Sequence, residues 1–201
     1  MCYLRGPVRS GRSHLLQAVC HAALENGMSA SYLPLAELSG YPAAEVLGGL
    51  EQQQLLCLDD LDCVAGKGEW ETALFQVFNQ RQHGGGRLCL SATAGPRELN
   101  MALPDLVSRL NMMLVCSLQP LADEDKQAAL QLRARGRGIK LPDDVARFIL
   151  HHLARDMCSL MSFLDRLDRL SLAEKRRITI PYVSSLLAGD GAADAERSHG
   201  R

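Results

Sequence analysis

Short apolar runs alternate with helix-forming stretches over the first 117 residues, and this alternation restricts the fold more than any other feature of the chain. The runs that have strand character cover residues 2–4, 30–33, 55–58, 88–91 and 113–116. Continuous apolar strands of this length are typical of a parallel sheet that is buried on both faces, and the helices between them supply the crossovers that parallel strands need. The order predicts an α/β fold, with a parallel five-stranded sheet and helices on both faces.

Only helices are predicted in the second part of the chain. The first of them, within 122–138, begins with acidic residues and ends at two glycines, as helices often do. Stretches within 142–172 carry apolar residues at helical spacing, so the helices they form can pack on each other. Residues 189–201 lack apolar periodicity, which is typical of a disordered tail. We therefore predict an α/β subdomain over 1–119, an all-helical subdomain over 120–188, and a tail over 189–201.

Composition excludes several classes of protein. Lysine and arginine together number 22 against 23 aspartates and glutamates, so there is no basic excess that would draw the chain to nucleic acid by charge alone. The seven cysteines form no C-x-x-C pair, which favours reduced thiols and a cytoplasmic protein over a disulfide or zinc framework. No apolar run approaches the roughly 20 residues that cross a bilayer. We expect no membrane partner.

The segment GPVRSGRS at residues 6–13 has the spacing of a phosphate-binding P-loop. Gly6, Gly11 and Ser13 are in place, and Arg12 stands where the motif has lysine. Because the segment follows a strand and opens a helix, its backbone N–H groups would bind phosphates and the Ser13 hydroxyl would bind Mg²⁺. A guanidinium is longer than an ammonium and planar, so Arg12 predicts a better fit to a diphosphate than to a γ-phosphate.

A second phosphate-site motif follows about fifty residues later, where the run LLCLDDLD ends in Asp59 and Asp60. In a Walker B segment the first carboxylate holds Mg²⁺ through water and the second orients an attacking water. Alone, two aspartates at a strand exit would be unremarkable, but the two motifs in this order favour a P-loop NTPase fold. We expect ADP or ATP as ligand, Mg²⁺ at Ser13 and Asp59, and His14 among the nucleotide-contacting residues.

Four stretches of the chain together resemble the Hda family of DnaA-related AAA+ proteins, which switch off the bacterial replication initiator. They cover residues 3–23, 55–66, 103–110 and 118–150, and the resemblance runs from about residue 3 to residue 187. In this family the P-loop also carries arginine. The resemblance implies an AAA+ module with a helical lid that binds ADP, is tethered to the DNA-loaded sliding clamp, and stimulates hydrolysis of the ATP held by DnaA.

The resemblance also assigns roles to single residues. Arg109, in LPDLVSRL, falls at the position of the AAA+ arginine finger, which would act in trans on a nucleotide bound by another protein. The sensor I position falls near Thr93. The sensor II position aligns with Cys158, and Arg155, three residues earlier, is the candidate that would replace its arginine. A solvated surface arginine is the simpler interpretation of both Arg109 and Arg155.

The start of the chain departs from the family pattern. The family's clamp-binding motif and part of its adenine-facing wall lie ahead of the first strand, and only five residues precede Gly6. We therefore expect the clamp motif to be absent from this chain as given, and nucleotide binding to be weakened.

Two other functions compete with the regulator. A self-contained ATPase is favoured by Asp59 and Asp60 but disfavoured by Arg12, Thr93 and Cys158, so we expect intrinsic ATP hydrolysis to be weak or absent. A DnaA-like interaction module that has lost nucleotide chemistry is the other alternative. A DNA-binding initiator is disfavoured because no helix-turn-helix follows the lid, so we expect no direct sequence-specific DNA binding. Self-association stays open.

Overall fold

The structure is a computed structural model and describes residues 1–153, 156–174 and 176–188. It divides into two compact units, one from Met1 to Pro120 and one that begins at Leu121. The first unit contains a five-stranded sheet in which every pairing is parallel and the spatial order is β2-β3-β4-β1-β5. The strands are β1 Cys2–Arg5, β2 Ala30–Pro34, β3 Leu55–Asp59, β4 Arg87–Ala92 and β5 Leu114–Ser117. The predicted α/β class and all five predicted strands are confirmed.

Helices cover both faces of the sheet. The helices of this unit are α1 Arg12–Glu25, α2 Leu35–Leu38, α3 Ala43–Leu47, α4 Gly68–Gly84 and α5 Pro104–Asn111, with a 3₁₀ turn at Leu61–Val64. On one face, α1 buries Leu16, Cys20 and Ala23 against β3. On the other, α4 and α5 share the main apolar core with the strands. The short α2 and the 3₁₀ turn escape prediction because a single turn carries no readable period.

Strand β3 contributes side chains to the apolar clusters on both faces of the sheet. All five of its residues are buried, and alternate side chains face opposite helices. Leu55 and Cys57 pack with α1, while Leu56 and Leu58 belong to the core that α4 and α5 complete. Because a parallel sheet carries its ligands at the carboxyl ends of its strands, this packing fixes where the polar end of β3 meets the loop after β1.

The second unit is helical in its described part. Its elements are α6 Asp123–Gly136, α7 Asp143–His152, α8 Met157–Glu174 and α9 at 180–188. They share one apolar cluster, to which α8 contributes Leu160, Leu164 and Leu167, each fully buried. This is the amphipathic packing that the helical spacing predicts. The predicted tail over 189–201 lies outside the described residues.

The thiols are distributed unevenly between the units. All seven cysteines are free; Cys57 is fully buried, whereas Cys158 in α8 is exposed. In the described residues, no helix is both long and apolar enough to span a membrane.

Candidate nucleotide-binding site

The loop between β1 and α1 has the backbone that a P-loop requires. Arg9 and Gly11 have positive φ angles of 67° and 92°, so the chain bends tightly before α1 begins. Gly6 is buried, and a Cβ there would lie 2.6 Å from the Ser10 hydroxyl oxygen and 2.9 Å from the Leu118 carbonyl oxygen. Only glycine fits that position without a rearrangement. The loop thus leads into the amino end of a 14-residue helix, where backbone N–H groups and the helix dipole favour an anion.

Arg12 points inward, into the site. It is 7% exposed, and its guanidinium donates to the Gly6 carbonyl at 2.5 Å and to Asp60 Oδ1 at 2.8 Å. The structure therefore brings together the cation of the first motif and the second carboxylate of the Walker B segment. Burial and the neighbouring Asp59 carboxylate raise the pKa of Asp60, and Arg12 opposes this rise.

Asp59 is held from two sides. It is 1% exposed, Tyr32 of β2 donates its hydroxyl to Oδ2 at 2.7 Å, and Ser91 of β4 donates its hydroxyl to Oδ1. The same Ser91 oxygen accepts the Asp60 backbone N–H at 3.0 Å. Burial and the Asp59 hydrogen bond raise the pKa of Tyr32 to about 12, which keeps its hydroxyl a donor at neutral pH.

Tyr32 and Ser91 are functional residues that the sequence analysis missed. Strand pairing puts them there, because Tyr32 lies on β2 beside β3, and Ser91 follows Leu90 of β4, which is paired with Leu58, the residue before Asp59. One signal could have revealed Ser91, since it is the polar residue within the apolar run LCLSA. A fully buried hydroxyl in such a run needs a partner, and an aspartate at the same strand end is the nearest candidate.

Thr93 is hydrogen-bonded to a third aspartate, Asp62. Its backbone N–H and its hydroxyl both donate to the Asp62 carboxylate, which caps the end of β4. The sequence analysis did not identify Asp62. Thr93 is exposed, so its position near the strand ends is compatible with a sensor I role, but its hydroxyl proton is committed to Asp62.

The remaining predicted residues fall into separate places. Ser13 is half-buried and His14 exposed, both in the first turn of α1. Arg155 lies outside the described residues. Cys158 is an exposed thiol in the second unit.

Arg109 lies in the last turn of α5, at the edge of the first unit rather than beside the P-loop. It is half-buried, and its Nη1 donates to Gln82 Oε1 of α4 at 3.0 Å. The bond joins a cation to a neutral amide at the surface. Among the hydrogen bonds and ion pairs of the described residues, none joins Arg109 to the cluster of Arg12, Asp59 and Asp60.

The loop fits a phosphate group. The Ser10 hydroxyl oxygen is buried and has no hydrogen-bond partner within the described residues, and phosphate oxygens would satisfy such a group. The helix start, the positive φ angles and the arginine supply the remaining requirements of an anion site. A nucleotide would take its phosphates at this loop, with Arg12 as the cation, and Asp59 and Ser13 are the residues that would face Mg²⁺.

Comparison with known proteins agrees with these features. The fold is similar to that of domain III of the replication initiation protein DnaA from Thermotoga maritima, with a TM-score of 0.78 and 22% identity over 94% of this chain and 83% of that one. It is also similar to AMPPCP-bound DnaA from Aquifex aeolicus, with a TM-score of 0.68 and 21% identity over 85% of this chain and 55% of that one. The RuvB branch migration motor from Thermotoga maritima gives a TM-score of 0.66 and 19% identity over 92% of this chain and 59% of that one.

The fold defines a P-loop protein of the AAA+ class, with an α/β module and a helical lid. Residues 123–187 match the family model of the Hda lid domain. The lid match and the DnaA-like fold confirm the resemblance to Hda-like homologues of DnaA. This chain spans little more than half the length of the Aquifex DnaA and of RuvB.

Proposed function

We propose that this chain is a DnaA-related AAA+ regulator that promotes hydrolysis of the ATP bound to DnaA, and so restrains the initiation of DNA replication. Arg109 would be the arginine finger. The lid match supports a DnaA-related role, and one observation favours a regulator over a self-contained ATPase: the Arg12–Asp60 ion pair. Asp60 is the carboxylate that would have to orient an attacking water, and here it holds the chain's own cation.

The same cluster supports ADP as a structural ligand. Arg12 is the residue that would contact the terminal phosphate, and it is drawn toward Asp60 and the Gly6 carbonyl. A γ-phosphate would add negative charge close to Asp59 and Asp60, whereas a diphosphate ends before them. The binding preference therefore favours ADP, with Mg²⁺ in a secondary role. The proposed action of Arg109 does not require the chain to hydrolyse ATP at its own site.

Arg109 would act by electrostatic stabilisation. In phosphoryl transfer, negative charge is spread over the transferred group, and a guanidinium placed against that group in trans accelerates turnover by roughly 10³ to 10⁵. The partner is DnaA with bound ATP, and the DNA-loaded sliding clamp is the second component that the family resemblance implies.

The test is a single-turnover assay. DnaA is loaded with labelled ATP, freed of unbound nucleotide, and mixed with this chain and DNA-loaded sliding clamp; conversion to labelled ADP is then followed with time. Because the only labelled ATP is bound to DnaA, the chain's own site contributes nothing to the signal. We expect the chain to accelerate this conversion above the rate of DnaA alone. The Arg109→Ala variant should give no acceleration.

Recruitment is controlled separately, with a version that carries a clamp-binding peptide at its amino end. If that version and the original chain both leave the rate at the level of DnaA alone, the proposal is wrong. Measured ATP turnover by the chain without DnaA would then favour the self-contained ATPase.

A further inference from the structure

Helix α4 holds both ends of the short helix that carries Arg109. At the start of α5, the Glu71 carboxylate is fully buried and accepts three backbone N–H groups, from Gly66 at 2.7 Å, Ala102 at 3.0 Å and Leu103 at 2.6 Å. Leu103 is the residue that immediately precedes α5, and no side chain of its own caps that helix. A buried carboxylate with three donors therefore fixes where α5 begins.

The middle of α5 is fixed by packing. Leu106 and Leu110 are each 1% exposed and lie against Leu74 and Phe78 of α4. The space enclosed among these side chains and their neighbours measures only about 10 Å³, so α5 is closely packed on α4 and the sheet. Apolar contacts of this kind set the position of the α5 backbone.

Backbone position alone does not aim a guanidinium. An arginine side chain has four rotatable bonds before its planar group, and an exposed one samples many rotamers. Here the Nη1 group of Arg109 donates to Gln82 Oε1 at 3.0 Å, and Gln82 lies about three turns along α4 from Glu71. A neutral amide selects one rotamer without neutralising the charge, so the other N–H groups stay available to an incoming phosphate.

We propose that Gln82 and Glu71 are positioning residues for Arg109: Glu71 fixes the start of α5, and Gln82 orients the guanidinium toward the phosphates of a nucleotide held by the partner protein. This inference rests on the proposed function. A misplacement of about 1 Å in such a group can cost about 100-fold in rate, which is why a dedicated support of this kind has functional value.

The main test is Gln82→Met, which keeps length and removes the acceptor. In the labelled-ATP assay we expect the rate at saturating chain to fall about threefold to tenfold, the range expected for one solvent-exposed hydrogen bond. The chain concentration that gives half the maximal rate and the melting temperature should stay unchanged. Gln80→Met, a change at another exposed glutamine of α4, is the matched control and should leave the rate unaltered.

A double variant separates positioning from other roles. Combined with Arg109→Ala, Gln82→Met should have no further effect, since there is no guanidinium left to orient. Glu71→Gln should lower the saturating rate as well, together with the melting temperature, because one amide oxygen cannot replace the two carboxylate oxygens that accept these N–H groups.

The outcomes are distinguishable. If Arg109→Ala is inactive while Gln82→Met matches the parent, the positioning inference is wrong and the proposed function stands. An increase in the half-saturating concentration with an unchanged maximal rate would make Gln82 a partner contact and also overturn it. If Arg109→Ala is as active as the parent, the finger itself is wrong.

Discussion

Two arginines of the first unit stand in opposite situations. Arg12 is 7% exposed and paired with a carboxylate of its own chain, whereas Arg109 is half-buried at the edge and held by one neutral amide. An ion pair in which the cation is buried and the carboxylate partly buried is harder to separate than a single surface hydrogen bond. Arg12 is thus committed to groups of its own site, whereas Arg109 is held by one hydrogen bond to a neutral side chain. The proposed action of Arg109 on a partner's nucleotide depends on this difference.

The largest expected effect is on ATP hydrolysis by DnaA when Arg109 is replaced. Arg109→Ala should abolish stimulation of DnaA-bound ATP hydrolysis, a loss of roughly 10³-fold or more, because the in-trans charge is removed. Arg109→Lys should recover little, since a point charge does not reproduce the planar fork. The melting temperature and ADP binding of both variants should equal those of the parent. Arg97→Ala, at an exposed arginine of the same unit, is the control and should remain fully active.

Replacement of Arg12 should affect nucleotide binding by the chain itself. Arg12→Ala is expected to weaken ADP binding by about 10- to 100-fold, the size of one or two hydrogen bonds to a charged group. Isothermal titration measures this directly. Arg12→Lys restores the usual P-loop cation, so it should bind ATP better relative to ADP than the parent does. Equal ADP binding by the parent and the alanine variant would contradict the assignment of the loop as a phosphate site.

Removal of one support of Asp59 should cost stability. Tyr32→Phe deletes the hydroxyl that donates to a fully buried carboxylate, and we expect the free energy of unfolding to fall by about 1 to 3 kcal/mol. Urea denaturation gives the value. Tyr41→Phe is the matched control, because Tyr41 is 61% exposed and its change should be nearly neutral. Equal losses in the two variants would mean that the Tyr32–Asp59 bond has no special weight.

The smallest expected effect concerns competition for Arg12. If Asp60 holds the guanidinium that a phosphate would otherwise contact, Asp60→Asn should tighten ADP binding about threefold to tenfold. Weaker binding in this variant would show that Asp60 orients Arg12 for the ligand instead of competing for it.

The pH dependence sharpens the same comparison. Because the pKa of Asp60 is raised above its ordinary value of 3.8, the folded chain holds this proton more tightly than the unfolded chain does. The stability that the protonated carboxyl contributes is therefore present below that ordinary value and lost as the pH rises through the folded pKa. As the pH falls through the raised pKa of Asp60, protonation should release Arg12. The advantage of Asp60→Asn over the parent in ADP affinity should shrink as that proton binds.

The strands and helices were predictable because their signals are local. Apolar runs, helical spacing and the glycine loop each lie within a few neighbouring residues, and the structure confirms the α/β class and the helical lid. That Arg12 shares one end of the sheet with Asp59 and Asp60 also follows from sequence, because all strands of a parallel sheet end at the same edge, although β4 separates β1 from β3.

The supports of these residues could not be predicted in the same way. The supporting side chains lie far in sequence from the groups that they contact, so only the folded structure shows which pairs meet. They are Tyr32, Ser91, Glu71 and Gln82. A single sequence does not reveal which buried hydroxyl meets which carboxylate. Nor does it indicate that the Arg12 guanidinium turns toward Asp60, since that choice depends on the competition between solvation and a partly buried carboxylate.

Because the thiols differ in exposure, their rates of alkylation can measure local opening of the folded protein. Cys158 is exposed and should be alkylated first, at the rate of an open thiol, whereas fully buried Cys57 reacts only when the sheet around it opens. In the described residues Cys158 is the one cysteine of the second unit, and the buried thiols, Cys20 and Cys57, both belong to the first, so their modification measures opening of the first unit. Alkylation kinetics followed by mass spectrometry would thus time the opening of the α/β unit alone, without any introduced label.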